Sequence, residues 1–412
     1  MQDISVSFQQ LFNTTASFVV QSPGRINLIG EHTDYNNGFV LPAAIDKSVQ
    51  VAIAKRKDGA IHMHAIDLQE GVILPTFPLQ RHATSWVNYI IGVVAQVQNY
   101  LESASELTSS FSSTTNKNHN SVVILHDLNQ GFDICVQGDI PIGAGLSSSA
   151  AVECAVIFAL NELYSLGLTR MQMAMMTQQS EHAFAGVKCG IMDMFASLHG
   201  KINHVMLLDC ANLQHTYYPL DLKECEIVLF DTQIKHALAS SEYNTRRLEC
   251  EQGVAILQKK YPTIQTLRDA TMQQVEECLA VPQEKNSINN KVYQRCKYVV
   301  EEIDRVQLAV KDLLAGDIKA FGQKMFDTHD GLSTLYEVSC SELDILVNAV
   351  KDNPHVLGAR MMGGGFGGCT INIINKGEAP IIINAVKEIY AKQTAHTLQV
   401  HQVKIEQGTH IK

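Results

Sequence analysis

The sequence has too few basic residues for a typical nucleic-acid-binding protein. Its 412 residues include 32 Lys and Arg against 42 Asp and Glu, which gives a net charge of −10. Phosphate backbones are bound by basic surfaces, and no long run of Lys and Arg occurs. We therefore expect no nucleic-acid partner, although single basic residues can still bind a small phosphorylated ligand.

Long hydrophobic runs and a basic leader are also lacking. A membrane-spanning helix needs about 18 or more consecutive apolar residues, and the chain has no such run. The first residues, MQDISVSFQQLFNTT, have neither a basic segment nor an apolar core of signal-peptide length. These absences predict a cytoplasmic protein with no membrane partner.

Cysteine pairs of the CxxC type are missing as well. The ten cysteines are scattered singly from Cys135 to Cys369, in a chain long enough to bury its own core, so we expect reduced, mostly buried thiols. At roughly 150 residues per domain the length favours two domains. The pattern of elements changes near residue 205, which predicts domains over 1–205 and 206–412.

Local patterns predict strands in the first half of the chain and helices later. The alternating runs at 17–22 and 49–54 predict strands, and the second is expected to form a hairpin that turns at Asp58-Gly59. Its return strand carries His62 and His64, either on a solvated face or, less simply, as a metal pair.

Segments further along the chain complete this prediction. VVILHD and FDICVQGD predict strands at 122–127 and 132–139, several amphipathic helices are expected between 240 and 350, and strands are expected on either side of that helical region. The Ser-, Thr- and Asn-rich residues 103–121 predict a surface insertion, because they bury too little apolar area to offset the entropy of ordering.

Two glycines and three serines precede a predicted helix within residues 141–167. Gly143 and Gly145 allow a ligand to approach the backbone, and the serines at 147–149 place hydroxyls where the helix begins. The positive end of a helix dipole is a natural anion site. A phosphate site is therefore indicated, the alternative being a Ser-capped helix after a glycine turn. The loop lacks the lysine of a Walker A motif.

A second glycine-rich stretch, GGGFGG at 363–368, matches GxGxxG only formally. A dinucleotide-binding fingerprint leaves a strand and opens a helix, whereas this stretch runs into the predicted strand CTINIIN. We therefore reject a dehydrogenase. A closely approached backbone beside a cleft and a simple hairpin bend both remain open.

The loop GRINLIGEHTDYNNG at 24–38 concentrates charged and hydrogen-bonding groups among small residues. With VLPAAID it resembles the signature of the galactokinases, in the GHMP superfamily of small-molecule kinases. PIGAGLSSSAA resembles the superfamily's phosphate motif and GARMMGGGFGGCTI its C-terminal glycine motif. EHAFAGVKCGIMDMFAS, HALASSEYNTRR and YEVSCSELDILV match in order and spacing, so the resemblance covers nearly the whole chain outside the insertion.

The resemblance implies an α+β fold with a ribosomal-protein-S5-like N-terminal domain and a ferredoxin-like C-terminal domain around a cleft. It implies an enzyme that phosphorylates galactose with ATP and Mg²⁺. We expect a monomer, although the residues themselves do not reveal the oligomeric state. A hexose presents a ring of hydroxyls, so its pocket needs fixed polar partners. The sugar-binding residues implied are Glu31, His32, Asp34, Gly190 and Tyr243. A solvated turn and a Glu-His-Asp metal site are the alternatives for the loop.

The resemblance also assigns the reacting groups. Asp193 matches the family's catalytic carboxylate and Arg25 its partner, while Ser149 and Glu181 match the magnesium ligands. Glu181 could instead be an ordinary helix-surface carboxylate. The phosphate loop implied comprises Gly143, Ala144, Gly145, Leu146, Ser147, Ser148 and Ser149. Trp86, the sole tryptophan, lies in a segment that resembles the one around the adenine, although plain core packing would also explain it.

Three positions depart from the family pattern: Lys188, Met194 and Met362. None of them removes an implied catalytic group, but the first two are expected to flank the sugar. A related kinase for N-acetylgalactosamine or arabinose is therefore the competing reading. A silent sugar and nucleotide sensor is a third, which the intact GAGLSSSAA and Asp193 argue against.

Overall fold

The computed structural model describes residues 3–109, 125–235, 239–280 and 288–412. Two main sheets and a small third sheet organise these residues, and helices cover the faces of the two main sheets. The strands are β1 (Phe18–Asn27), β2 (Phe39–Val40), β3 (Pro42–Lys55), β4 (Ala60–Ala65), β5 (Glu70–Pro75), β6 (Gly131–Gly138), β7 (His204–Asp209), β8 (Gln214–Pro219), β9 (Cys225–Lys235), β10 (Val356–Met361), β11 (Gly367–Asn375), β12 (Gln399–Val403) and β13 (His410–Ile411).

The helices fall into two groups that match the two main sheets. Those of the first half pack mainly on the first sheet, and most of the others form helical layers beside the second. They are α1 (Ile4–Phe12), α2 (Ser85–Ser109), α3 (Ser148–Tyr164), α4 (Arg170–Ser180), α5 (Met192–His199), α6 (Ala239–Gln258), α7 (Met272–Leu279), α8 (Ile288–Ala315), α9 (Ile318–Thr334), α10 (Ser341–Asn348) and α11 (Ala379–Thr394).

The first sheet has six strands in the order β13-β1-β3-β6-β4-β5. Its central strand β3 is buried along most of its length, and successive side chains point to opposite faces. Val51 and Ile53 join the large core beneath α2 to α5. Ala52 and Ala54 face α1 on the other side, where Phe8 covers them. Because both faces are covered here, residues 51–54 of β3 are all apolar.

The hairpin predicted at Asp58-Gly59 is wrong, although both of its strands are present. The chain turns there, but β6 lies between β3 and β4 in the sheet. β6 pairs antiparallel with β3 and parallel with β4, with Ile134 opposite both Ile53 and Met63. Strand β4 forms its hairpin with β5 instead.

The second sheet has four strands in the order β10-β11-β9-β12, all antiparallel. Phe326 from α9, Leu346 from α10 and Ile382 from α11 pack on Val228 and Phe230 of this sheet. Helices α6, α7 and α8 enclose a separate apolar cluster. The predicted α+β class and the helices expected between 240 and 350 are confirmed.

One prediction next to the insertion needs correction. Residues 125–129 are helical, so the strand predicted at 122–127 is wrong there, and 122–124 lie outside the described residues. Residues 103–109 continue helix α2 and 110–121 also lie outside the described part, so the surface insertion over 103–121 stays a prediction. The predicted strand at 132–139 is confirmed by β6.

Segments from beyond residue 205 return to the first half of the molecule. Strands β7 and β8 pair next to β2, and the last strand β13 forms the edge of the first sheet beside β1. Thr409 is buried there and exchanges a hydrogen bond with Ser22 at 2.8 Å. The division into 1–205 and 206–412 stays a prediction.

The ten cysteines, all within the described residues, are free, which confirms the expectation of reduced thiols. No helix in the described ranges combines the length and apolar character needed to cross a bilayer.

Candidate active site

A cavity of about 190 Å³ opens where the first sheet meets the hairpin of β10 and β11. All nine residues predicted from the sequence to bind the sugar or metal, or to catalyse the reaction, line it: Arg25, Glu31, His32, Asp34, Ser149, Glu181, Gly190, Asp193 and Tyr243. A larger, more open groove of about 500 Å³ lies beside the start of α9 and contains none of them. The residues gathered from distant parts of the chain thus form one site.

The signature loop is folded tightly by its own hydrogen bonds. Gly30 and His32 adopt positive φ values of 98° and 63°, and the Thr33 hydroxyl donates to the carbonyl of Gly30 at 2.9 Å. A 3₁₀ turn over Asp34–Asn36 follows, and the Asn36 amide donates to the carbonyl of His32 at 2.9 Å. His32 and Asp34 are buried as a result, so the reading of a solvated turn is excluded.

Glu31 is held from the second sheet. The guanidinium of Arg360, on β10, donates to Glu31 Oε1 at 3.2 Å, and the Gly363 backbone amide donates to the same oxygen at 2.8 Å. Both side chains are buried. One oxygen of Glu31 is thus committed to the protein, and the residue also lines the cavity.

Asp34 lies directly against Gly190. A Cβ at Gly190 would stand 1.8 Å from Asp34 Oδ2, so a glycine is required there. Burial, followed by the nearby charge of Asp193, raises the pKa of Asp34 to about 7. Near neutral pH this carboxyl can therefore both donate and accept hydrogen bonds.

Asp193 is fixed by two side chains from the first half of the chain. Its Oδ1 accepts from Arg25 Nε at 2.8 Å and its Oδ2 accepts from the Ser147 hydroxyl at 2.6 Å. Arg25 also donates to the carbonyl of Gly145 at 2.6 Å. Asp193 lies in the first turn of α5, where the helix dipole favours a negative charge.

The phosphate loop runs into α3 with backbone geometry that suits glycine. Gly143 and Gly145 have φ values of 83° and 76°. Ser147 also has a positive φ, and its hydroxyl bonds Asp193 rather than capping α3, so a plain Ser-capped helix does not describe this loop. The side chains of Ala144 and Leu146 are buried and anchor it.

Ser149 and Glu181 lie together beside the start of α3. Their side chains approach to 3.4 Å, and Glu181 Oε2 is buried without a partner. Because Glu181 is buried, the alternative of a helix-surface carboxylate is wrong. Hard oxygen ligands with unused lone pairs suit Mg²⁺. In phosphoryl-transfer sites this ion is bound by one or two protein carboxylates and by the substrate phosphates. Among the described residues no group of three or more His, Cys, Asp or Glu side chains could hold a metal ion. His62 and His64 therefore belong to no such group.

A second buried carboxyl, Glu153 on α3, adjoins Glu181 and was not anticipated from the sequence. Its Oε1 accepts from the Ser180 hydroxyl at 2.8 Å, and its Oε2 has no partner. Burial and the neighbouring Glu181 raise the pKa of Glu153 well above its usual value, and burial raises that of Glu181 too.

The other positions singled out in the sequence differ in how they relate to the cavity. Trp86 is half-buried against the first core and donates to Glu70 at 2.9 Å, and it does not line the cavity. Lys188 is exposed and does not line it either, whereas Met194 does. Met362 is fully buried, with its carbonyl next to Gly145.

Arg360, Tyr35 and Tyr336 were also missed as parts of the site. Each lies in a stretch that matches the family pattern, but the residue type alone does not reveal which side chain it contacts. Arg360 reaches Glu31, and Tyr336 reaches Tyr35, across more than 300 residues of sequence.

The fold and the site define a two-domain GHMP kinase. Family models match in chain order: the galactokinase galactose-binding signature at residues 6–55, the GHMP kinase N-terminal domain at 88–201 and the GHMP kinase C-terminal domain at 309–392. The S5-like and ferredoxin-like domains expected from the sequence fit this fold.

Similar proteins narrow the class further. A galactokinase of Roseiflexus sp. (strain RS-1) is 34% identical over 97% of this chain and 94% of its own length, and one of Homo sapiens is 36% identical over 93% and 90%. The crystal structure of Lactococcus lactis galactokinase complexed with galactose superposes with a TM-score of 0.86, at 28% identity over 99% and 98% of the two chains. The chain belongs to the galactokinase family and is therefore a kinase with ATP as a substrate.

Proposed function

We propose that the protein transfers the γ-phosphoryl group of ATP to the anomeric hydroxyl of α-D-galactose, giving α-D-galactose 1-phosphate and ADP, in galactose catabolism. The observation that carries this proposal is the position of Asp193, which Arg25 and Ser147 hold at a cavity lined by the galactose-binding signature. The full-length similarity to galactokinases supports it.

Glu31, His32 and Asp34 are proposed to bind the sugar hydroxyls, with Tyr243 and the backbone of Gly190 completing the pocket. These groups are buried and fixed before the sugar arrives. Pre-organisation reduces the entropy lost on binding. A sugar that lacks one partner hydroxyl would leave a buried group unpaired, at about 1 to 3 kcal/mol.

The Asp193 carboxylate is proposed to receive the proton of the sugar hydroxyl. That oxygen forms the new bond to the γ-phosphorus while the bond to the bridging oxygen of ADP breaks. The hydroxyl is a weak acid, so the proton need move only late in a loose transition state. Arg25 holds Asp193 through its hydrogen bond and adds positive charge near the transferring group.

The loop from Gly143 to Ser149 is proposed to bind the phosphates with backbone amides and hydroxyls at the start of α3. Ser149 and Glu181 would hold Mg²⁺, which would neutralise negative charge on the phosphates during the transfer. Adenine contact by Trp86, a monomeric state and a cytoplasmic location stay predictions.

A coupled ADP-release assay with Mg²⁺ and galactose, N-acetylgalactosamine or arabinose tests the reaction. We expect kcat/KM to be highest for galactose. We expect Asp193→Asn to lower kcat by about 10² to 10⁴ while galactose binding, measured by calorimetry, persists. The exposed Asp352→Asn variant is the control.

Preference for another sugar would contradict the substrate assignment. Binding of galactose and ATP without turnover would favour a sensor, and near-normal turnover by Asp193→Asn would remove the base from the mechanism.

A further inference from the structure

Three tyrosine rings enclose the imidazole of His32 behind the sugar pocket. Its ring centroid lies 5.8, 5.3 and 4.9 Å from those of Tyr35, Tyr243 and Tyr336. Burial, followed by the charge of Arg246, lowers the pKa of His32 to about 3, so the ring is neutral. A neutral imidazole has one donor and one acceptor nitrogen.

The two nitrogens of His32 have different surroundings. Nδ1 is hydrogen-bonded to the Tyr35 hydroxyl at 2.8 Å. Nε2 is buried without a partner, on a side chain that lines the cavity. The bond at Nδ1 decides which nitrogen carries the hydrogen, and so what Nε2 offers to a bound sugar.

That bond is the end of a chain that crosses into the second half of the molecule. The Tyr35 and Tyr336 hydroxyls are 2.7 Å apart, and the Tyr336 hydroxyl is 3.2 Å from Cys250 Sγ on α6. Tyr336 and Cys250 are fully buried, so water does not compete for these groups.

Each direction of the chain leaves one hydrogen without an acceptor in the described protein. If Tyr336 donates to Cys250, the hydrogen left over is that of the thiol, whose neighbour in the chain is then already a donor. If the thiol donates to Tyr336, then Tyr336 donates to Tyr35, Tyr35 donates to Nδ1 of His32, and the hydrogen left over is the one on Nε2. His32 lines the cavity, where a bound sugar oxygen can accept that hydrogen, whereas Cys250 does not line it, which favours the second arrangement.

We infer that Tyr35, Tyr336 and Cys250 are positioning residues that keep the hydrogen of His32 on Nε2, so that His32 donates a hydrogen bond to one hydroxyl oxygen of the sugar. The inference rests on the proposed function, because it gives His32 a sugar partner. Glu31 also lines this cavity and offers a hydrogen-bond acceptor. With a donor at His32, the site can therefore distinguish a sugar hydroxyl that donates a hydrogen bond from one that accepts it.

The tautomer can be observed without any substrate. In ¹⁵N-histidine-labelled protein, with the His32 signals assigned by loss in His32→Gln, we expect Nε2 protonated and Nδ1 unprotonated. Cys250→Ser keeps a donor at the end of the chain and should keep this pattern. Tyr35→Phe and Cys250→Ala should shift it toward a mixture. Tyr390→Phe is a matched control, because Tyr390 is fully buried and its hydroxyl donates to the carbonyl of Thr232 in another core.

Kinetics with galactose and its monodeoxy derivatives test the consequence. Tyr35→Phe and Tyr336→Phe should raise the KM for galactose roughly threefold to tenfold, with kcat and the KM for ATP unchanged. For the one deoxy sugar that lacks the hydroxyl bound by His32, the ratio of kcat/KM for galactose to kcat/KM for that sugar should shrink by the same factor. For the other deoxy sugars this ratio should not change. Cys250→Ser should resemble the wild type, and so should Tyr390→Phe.

A hydrogen on Nδ1 in the wild type would overturn the inference, and so would an equal loss toward every sugar in both tyrosine variants. If the wild type turned over none of these sugars, the proposed function would fail instead. The spectra would then still decide the direction of the hydrogen-bond chain.

Discussion

Single buried side chains give this site its pH dependence, and Asp34 is the clearest case. Burial first, and then the charges of Asp193 and Glu31, raise its pKa from 3.8 to about 7, although Arg25 acts in the opposite direction. The folded state therefore keeps a proton that the unfolded state releases above about pH 4. The stability that this neutral carboxyl contributes is complete below that pH and is lost as pH rises through about 7.

We predict that Asp34→Asn flattens the decline of the free energy of unfolding between pH 4 and pH 8. Over this pH range the free energy of unfolding should fall less in the variant than in the wild type, by at most roughly 4 kcal/mol. Urea unfolding at several pH values, without sugar or nucleotide, measures it. Asp352→Asn should run parallel to the wild type, and parallel curves for Asp34→Asn would show that its carboxyl is not perturbed.

At the scale of elements, the segment that leads into α5 determines the shape of the sugar pocket. It follows a π-helical turn over Glu181–Ala185 and brings Gly190 against Asp34. Asp193 follows three residues later in the first turn of α5. One short segment therefore positions the proposed catalytic carboxylate and limits where the Asp34 carboxyl can lie.

We predict that Gly190→Ala lowers kcat/KM for galactose by about tenfold to a hundredfold, because the added Cβ would stand 1.8 Å from Asp34 Oδ2 and displace the carboxyl. The KM for ATP should change little. Gly377→Ala is the matched control, since a Cβ added at Gly377 would have no atom within 4 Å. Unchanged galactose kinetics in Gly190→Ala would mean that Asp34 does not shape the pocket.

The glycine stretch at 363–368 combines the two readings that the sequence left open. It is the hairpin between β10 and β11, and it also lines the cleft. Gly363 donates to Glu31, and a Cβ at Gly368 would stand 3.1 Å from the Ala144 backbone. The close approach of the two loops explains why side chains are excluded here.

On the scale of the whole molecule, Arg360 joins the second sheet to the end of β1. Its buried guanidinium donates to the carbonyl of Leu28 at 2.8 Å, to the carbonyl of Asn27 and to Glu31. A buried ion pair does not by itself show net stabilisation, but removing one partner leaves the other charge uncompensated.

We predict that Arg360→Met lowers the free energy of unfolding by about 3 to 5 kcal/mol, because it leaves Glu31 and two carbonyls unpaired in the interior. The double variant with Glu31→Gln should lose less than the sum of the two single variants. Lys392→Met, which removes an exposed partner of Glu388, should change stability by less than about 0.5 kcal/mol. Additive losses in the double variant would show that the pair is not coupled.

Much of the site was predictable because its clues are local. The left-handed glycines before α3, the helical spacing within it and the polar groups of 24–38 are properties of short segments, and the family resemblance assigned Asp193, Arg25 and Glu181 to positions that the structure brings together. Local patterns failed where a partner had to be chosen. The parallel pairing of β4 with β6, which displaced the predicted hairpin, depends on strands about 70 residues apart.

The sequence by itself determined which groups are available: the carboxylates, the arginine, the phosphate loop and the fold class that carries them. Only the tertiary structure decided their states. It buried Asp34 and thereby raised its pKa, committed one oxygen of Glu31 to Arg360, and connected His32 to Cys250 through two tyrosines. Desolvation and hydrogen-bond direction depend on neighbours that are distant in sequence, and no local pattern encodes those neighbours.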